Sequence, residues 1–124
     1  MGSTSMGGAT EVSVQLSECR RGDAQRVLTV LCDAYDPGGE TPRLRKATAG
    51  VRNPTVWSWF VDVARTPREP EPADLEGVVA AEIQGATQAV NKVERSLRRA
   101  FTVRDEHLVS GDQETDLRVR LESR

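Results

Sequence analysis

The sequence predicts an α+β domain, two helices laid on one side of an antiparallel sheet, and three observations predict it. Apolar residues alternate with polar ones in several separate runs, the period of a strand with one buried side. Between those runs, apolar residues recur three and four apart, the period of a helix with one buried stripe. Proline and glycine clusters punctuate the boundaries. At 124 residues the chain has the length of one domain. Residues 1–10, rich in Gly, Ser and Thr and without periodicity, read as a flexible tail or tag remnant, leaving 11–124 for a single fold.

"EVSVQLSE" opens the fold as a half-buried strand, with Val12, Val14 and Leu16 on one side and Ser13 and Gln15 on the other. A helix follows, capped by Asp23 or the Gly22-Asp23 pair, with Val27, Leu28, Leu31 and Tyr35 at helical spacing. "DPGG" at 36–39 ends it. Residues 40–54, with two prolines, a glycine and four cations, read as a solvated loop. "TVWSWFVDVAR" is the next strand. Trp57, Trp59, Val61 and Val63 share one side of it, and Val56, Ser58, Phe60 and Asp62 the other. "RTPREPEPAD" cannot enter a sheet interior, because proline has no N–H to donate; it is a stiff exposed connection.

Residues 75–101 admit two readings. Val79, Ile83, Ala86, Val90, Val93, Leu97 and Ala100 recur at steps of four and three, which fits one long helix. The other reading splits the stretch at Gly85. A strand then buries Val79, Ala81 and Ile83, and a helix from Thr87 buries Val90, Val93, Leu97 and Phe101. The split is preferred, because glycine disfavours a helix interior by ~1 kcal/mol and the strand at 56–63 needs a neighbour. Leu117, Val119 and Leu121 form a last one-sided strand, with "TVRDEHLV" as its hairpin partner across "SGDQ".

The resulting order is β-α-β-β-α-β plus an extra C-terminal strand. That plan resembles the split βαβ, or ferredoxin-like, two-layer sandwich. The alternative is a βαβ unit followed by one helix over 75–101 and a C-terminal hairpin.

Formal net charge is −2 and the pI about 5.5, which argues against nucleic acid or anionic lipid as a partner. No apolar run approaches the ~20 residues of a membrane helix. Cys19 and Cys32 match neither a zinc spacing nor a C-x-x-C pair, and their usage suits reduced thiols in a cytoplasm. Among 17 basic residues only Lys46 and Lys92 are lysine, a bias that fits a GC-rich bacterial coding sequence.

The chemistry-bearing residues are sparse. His107 is the single histidine, and with Asp105 it makes too few ligands for a metal. Arg20 and Arg21 beside Cys19 are cations of the kind that lower a thiol pKa, although an inert thiol is the preferred reading. No nucleotide-binding glycine loop or nucleophile elbow occurs. The sequence therefore predicts no enzyme, no catalytic or cofactor-binding residues, no metal and no cofactor.

Two surfaces are candidates. The sheet side away from the helices carries Val56, Ser58, Phe60, Val78 and Ala80, an apolar centre with a polar rim suited to a protein partner or a second copy. The exposed stripe Lys92, Arg95 and Arg99 is a candidate basic patch. The leading expectation is a small non-enzymatic interaction or accessory module that self-associates. A pocket between sheet and helices would instead make it a small-ligand binder or modest enzyme. Exposed tryptophans would make it a binder of single-stranded nucleic acid.

Overall fold

A computed structural model describes residues 10–36, 44–48, 55–65 and 67–124, with the side chains of 47 and 48 outside the description. The tail expected at 1–10 and most of the loop expected at 40–54 lie outside the described residues. The elements, in chain order, are β1 (Glu11–Ser17), α1 (Arg21–Tyr35), β2 (Arg45–Thr48), β3 (Thr55–Asp62), β4 (Val79–Gly85), α2 (Thr87–Ala100), β5 (Phe101–Ser110) and β6 (Thr115–Ser123). The fold is α+β. Two helices pack on one side of an open six-stranded antiparallel sheet of order β2-β3-β1-β4-β6-β5.

Alternation decides which side of each strand is buried. Val12, Val14, Leu16, Trp57, Trp59, Val61, Val79, Ala81, Ile83, Leu117, Val119 and Leu121 all point under the helices. Both tryptophans belong to this core, as their spacing predicts. Their indole N–H groups are buried without a hydrogen-bond partner among the described residues. The Lys46 ammonium lies 5.8 Å from the centre of the Trp57 ring, close enough for a cation–π attraction.

α1 buries Ala24, Val27, Leu28, Leu31, Ala34 and Tyr35, and α2 buries Ala89, Val90, Val93, Leu97 and Ala100. The Tyr35 hydroxyl joins the two helices, donating to the Lys92 carbonyl at 2.9 Å and meeting the Ser96 hydroxyl at 2.9 Å. The stretch 75–101 is split, not one helix, and the break falls at Gly85. A Cβ there would stand 3.1 Å from the Glu11 carbonyl oxygen, so the close approach of β1 and β4 favours glycine.

Several expectations are corrected. Arg45–Thr48 forms a strand where a loop was expected. It pairs with Thr55–Ser58 and covers part of an edge that β3 would otherwise leave open. The N-cap of α1 is Arg20, with no side-chain cap. Asp23 instead turns outward from the helix and accepts the backbone N–H groups of Glu76 at 2.8 Å and Gly77 at 3.1 Å.

The strands at 55–62 and 79–85 do not pair with each other; they lie on opposite sides of β1. The proline-rich connection is long enough to carry the chain across. It forms a strap over the helices, held by Arg68 N–H on the Ala34 carbonyl at 2.8 Å and Ala73 N–H on the Ala100 carbonyl at 3.0 Å.

The strand order contains a repeat. β1 and β2 run parallel with β3 between them, and β4 and β5 run parallel with β6 between them. Each half is thus a β-α-β-β unit, and the halves meet along β1 and β4. Their buried stripes match in order. Ala24, Val27, Leu31 and Ala34 of α1 correspond to Val90, Val93, Leu97 and Ala100 of α2, and Trp57, Trp59 and Val61 to Leu117, Val119 and Leu121.

Candidate functional site

The sheet side away from the helices is covered by no described element. Its central row runs through all six strands in register. Arg45 faces Ser58, Ser58 faces Gln15, Gln15 faces Glu82, Glu82 faces Arg118, and Arg118 faces His107. The next row runs Phe60, Ser13, Gln84, Asp116, Val109. Neighbouring strands stand ~4.8 Å apart, so side chains in a row touch or bridge.

Opposite charges are set against each other here. Arg118 stands 3.4 Å from Glu82 and 3.8 Å from Asp116. The Gln84 amide donates to Glu82 at 3.1 Å and to Asp116 at 3.0 Å. Arg120 pairs with Glu18 at 3.2 Å and Asp105 at 3.6 Å, and Arg104 with Glu122 at 3.2 Å.

Glu82 and Asp116 act as a pair. Burial, then the hydrogen bond and charge of Asp116, push the Glu82 carboxyl above its ordinary value. Burial would also raise Asp116. Hydrogen bonds from Gln84 and Glu82 and the charges of Arg118 and His107 outweigh it, holding Asp116 below its ordinary value. Shifts of opposite sign are what two neighbouring carboxyls produce when their charges oppose each other, Glu82 being the one whose charged form is disfavoured. Both carboxyls remain partly exposed on this open face, and a raised Glu82 there does not by itself make a catalytic acid.

The structure separates the five candidate face residues. Val56 and Ala80 come together, lining one hollow of about 510 Å³ whose floor carries Gln15, Glu82, Arg118 and Arg120. Ser58 sits half-buried in the central row. Phe60 is 58% exposed in the adjoining row. Val78 precedes β4 and lines a different depression, beside Cys19 and Asp23. The centre of the face is therefore charged, with exposed apolar side chains at its margins.

The carboxyl pair, Gln84 and Arg118 were missed in the sequence, because their meeting depends on the pairing of β4 with β6. The signal was present in the alternation of both strands, which puts Glu82, Gln84, Asp116 and Arg118 on the same side.

The basic patch assembles more fully. Lys92, Arg95 and Arg99 line one groove between α2 and the strap, joined there by Arg68.

The remaining chemistry-bearing residues are dispersed. His107 is exposed on β5, opposite Arg118. A bulge between Arg104 and His107, where Asp105 takes a φ of 54°, sends Asp105 to Arg120 and Glu106 to Arg98 of α2. Cys19 and Cys32 are both free. Arg20 and Arg21 do not activate Cys19. Burial, helped by the charge of Asp23, pushes its thiol up to about 11. Burial, with Asp33 and Asp36, does the same for Cys32, also to about 11.

With both tryptophans buried, neither ring is on a surface where a base could stack. Among the described residues, no group of three His, Cys, Asp or Glu side chains is placed to hold a metal ion. No helix among them is long and apolar enough to cross a membrane. Compared with known proteins, the chain matches no family model, no curated protein and no solved structure.

Proposed function

We propose that this chain is a non-enzymatic interaction module that self-associates through its bare sheet face. The observation that carries the reading is the placing of two exposed apolar side chains in one row. Phe60 on β3 and Val109 on β5 are 58% and 56% exposed, and each lies two strands from β4 in the register of Gln84.

Two such sheets can face each other about a two-fold axis running along β4. Each β3 then lies over the second copy's β5, so Phe60 meets Val109 twice in one interface. A two-fold contact requires this kind of self-complementarity. The same operation sets Gln15 over the second copy's Arg118 and Ser13 over its Asp116. The single like-charge meeting is Glu82 with its own copy, flanked by an Arg118 from each side.

Six strands at ~4.8 Å spacing and roughly seven residues at ~3.3 Å give a flat area of about 650 Å² per copy. That is a little below the ~800 Å² per partner of a standard-size stable interface. The ferredoxin-like plan is part of this proposal. In it, the order β2-β3-β1-β4 corresponds to the four-stranded sheet of that plan, with the strap in place of its second crossover helix. Cysteine usage favours a reducing compartment, the cytoplasm.

The test is sedimentation equilibrium at tens of micromolar. Wild type is expected to be dimeric, and Phe60→Asp monomeric with an unchanged circular dichroism spectrum. The double variant Phe60→Asp/Val109→Lys is expected to dimerise again, because the new charges meet across the axis. A monomeric wild type, or a Phe60→Asp variant that dimerises as well as wild type, sinks the reading.

A further inference from the structure

The groove on the opposite side of the molecule presents a second kind of surface. Its volume is about 400 Å³, and its walls are α2 and the strap around Pro67 and Pro70. Arg68, Lys92, Arg95 and Arg99 line it, with Glu69 as the single acid among the described lining residues. Four cations against one acid, in a chain whose formal net charge is −2, is a strong local excess.

The groove is held in shape before anything binds. Proline fixes the backbone angle at three points of the strap, Pro67, Pro70 and Pro72. Hydrogen bonds from Arg68 N–H to Ala34 and from Ala73 N–H to Ala100 tie the strap to both helices. The Tyr35 hydroxyl holds the turn of α2 that carries Lys92 and Ser96. The Lys92 ammonium donates to the Val63 carbonyl at 3.0 Å, which positions it and leaves two of its three donors for the groove. Arg99 reaches across to Glu69 at 2.7 Å.

The repeat within the chain shows that the equivalent helix face does without two of these charges. Matching the buried stripes of the two helices sets Arg26, Thr29 and Asp33 of α1 against Lys92, Arg95 and Arg99 of α2. The groove on the α1 side of the same strap is lined by Asp33, Glu69 and Glu71, with Arg68 as its one cation. The first of these positions is a cation in both halves, but the second changes from Thr to Arg and the third from Asp to Arg, so Arg95 and Arg99 answer to something other than packing.

We infer that the groove between α2 and the strap is an anion site that takes the phosphate group of a small phosphorylated organic molecule. Guanidinium groups match phosphate oxygens in paired, charge-assisted hydrogen bonds, and three of the four cations are arginines. A phosphate group occupies only part of 400 Å³, and the volume lies in the ~300–1,000 Å³ range of small-molecule sites. The remainder, walled by Pro67 and Pro70, accommodates the organic part.

The test is an amide-resolved NMR titration of the full chain at fixed ionic strength, with inorganic phosphate, ribose 5-phosphate and chloride as probes. Saturable shifts confined to the amides of residues 68, 69 and 92–99 are expected with both phosphates and not with chloride. Ribose 5-phosphate is expected to bind several-fold more tightly than inorganic phosphate. Arg95→Gln should weaken binding about tenfold, and Glu69→Gln, which frees Arg99, should tighten it. Arg104→Gln, on the other side of the sheet, should change nothing. Shifts spread over all surface arginines, or equal losses in Arg95→Gln and Arg104→Gln, overturn the site. Equal affinity for the two phosphates overturns the organic part of the ligand.

Discussion

Gln15 and Glu82 face each other across β1 and β4, at the middle of the row that spans all six strands. Each sits on the first strand of its own β-α-β-β half, so they are counterparts as well as neighbours. One is neutral, and the other is a carboxyl that burial and Asp116 push above its ordinary value.

That difference makes Glu82→Gln informative. A carboxyl whose value is raised on folding stabilises the folded chain below the unfolded value, ~4.3 for glutamate, and the contribution is lost as pH rises through the folded value. Removing the group is therefore expected to stabilise the protein modestly at neutral pH. The advantage should disappear below about pH 4. Melting temperatures of both proteins across pH 3–8 measure it, and a variant less stable than wild type at pH 7 would contradict the assignment.

Asp23 is 6% exposed and closes the far end of the strap by accepting two backbone N–H groups. Asp23→Ala leaves both donors unmatched, at a cost of about 2 kcal/mol. Asp23→Asn keeps one good acceptor and should fall between the two. Urea unfolding gives the stabilities, and limited proteolysis should cut the alanine variant first near Glu76.

Tyr35→Phe tests the link between the helices. It removes a buried hydroxyl that bonds to Lys92 and Ser96 and leaves the Ser96 hydroxyl short of a partner. A loss of about 1–2 kcal/mol is expected from chemical denaturation. Tyr35→Phe/Ser96→Ala should recover part of it, since no polar group is then stranded.

Both thiols titrate near 11 in the folded chain, against 9.0 for an ordinary cysteine. Two decades of shift mean about 100-fold less thiolate at pH 8, and the thiolate is the reactive form. Reaction with a disulfide reagent is expected to be slower by about that factor in native protein than in urea. Equal rates in the two conditions would contradict the partial burial that raises both thiols.

What was legible in the sequence followed from period alone. The alternation of Trp57 and Trp59 with Ser58 and Phe60 placed both indoles in the core. Gly85 gave the break between strand and helix. β2 was not legible, because four residues that include Arg45 and Lys46 show no apolar alternation; what makes them a strand is the edge of β3 beside them. The order of strands was not legible either. The strap carries the chain from one side of β1 to the other, and nothing in "RTPREPEPAD" encodes where it lands. The charged row depended on that order, so Glu82 and Asp116 became a pair only once β4 and β6 were neighbours.

The kink at Asp105 has a bearing on how the molecule grows, or fails to. β5 is the long outer strand, with ten residues and no strand beyond it among the described residues. A straight strand of that length offers a template on which further chains could stack into a ribbon. Here the template is interrupted midway, where the register shifts between Arg104 and His107 and the backbone turns left-handed. Lateral extension from this edge is thereby disfavoured.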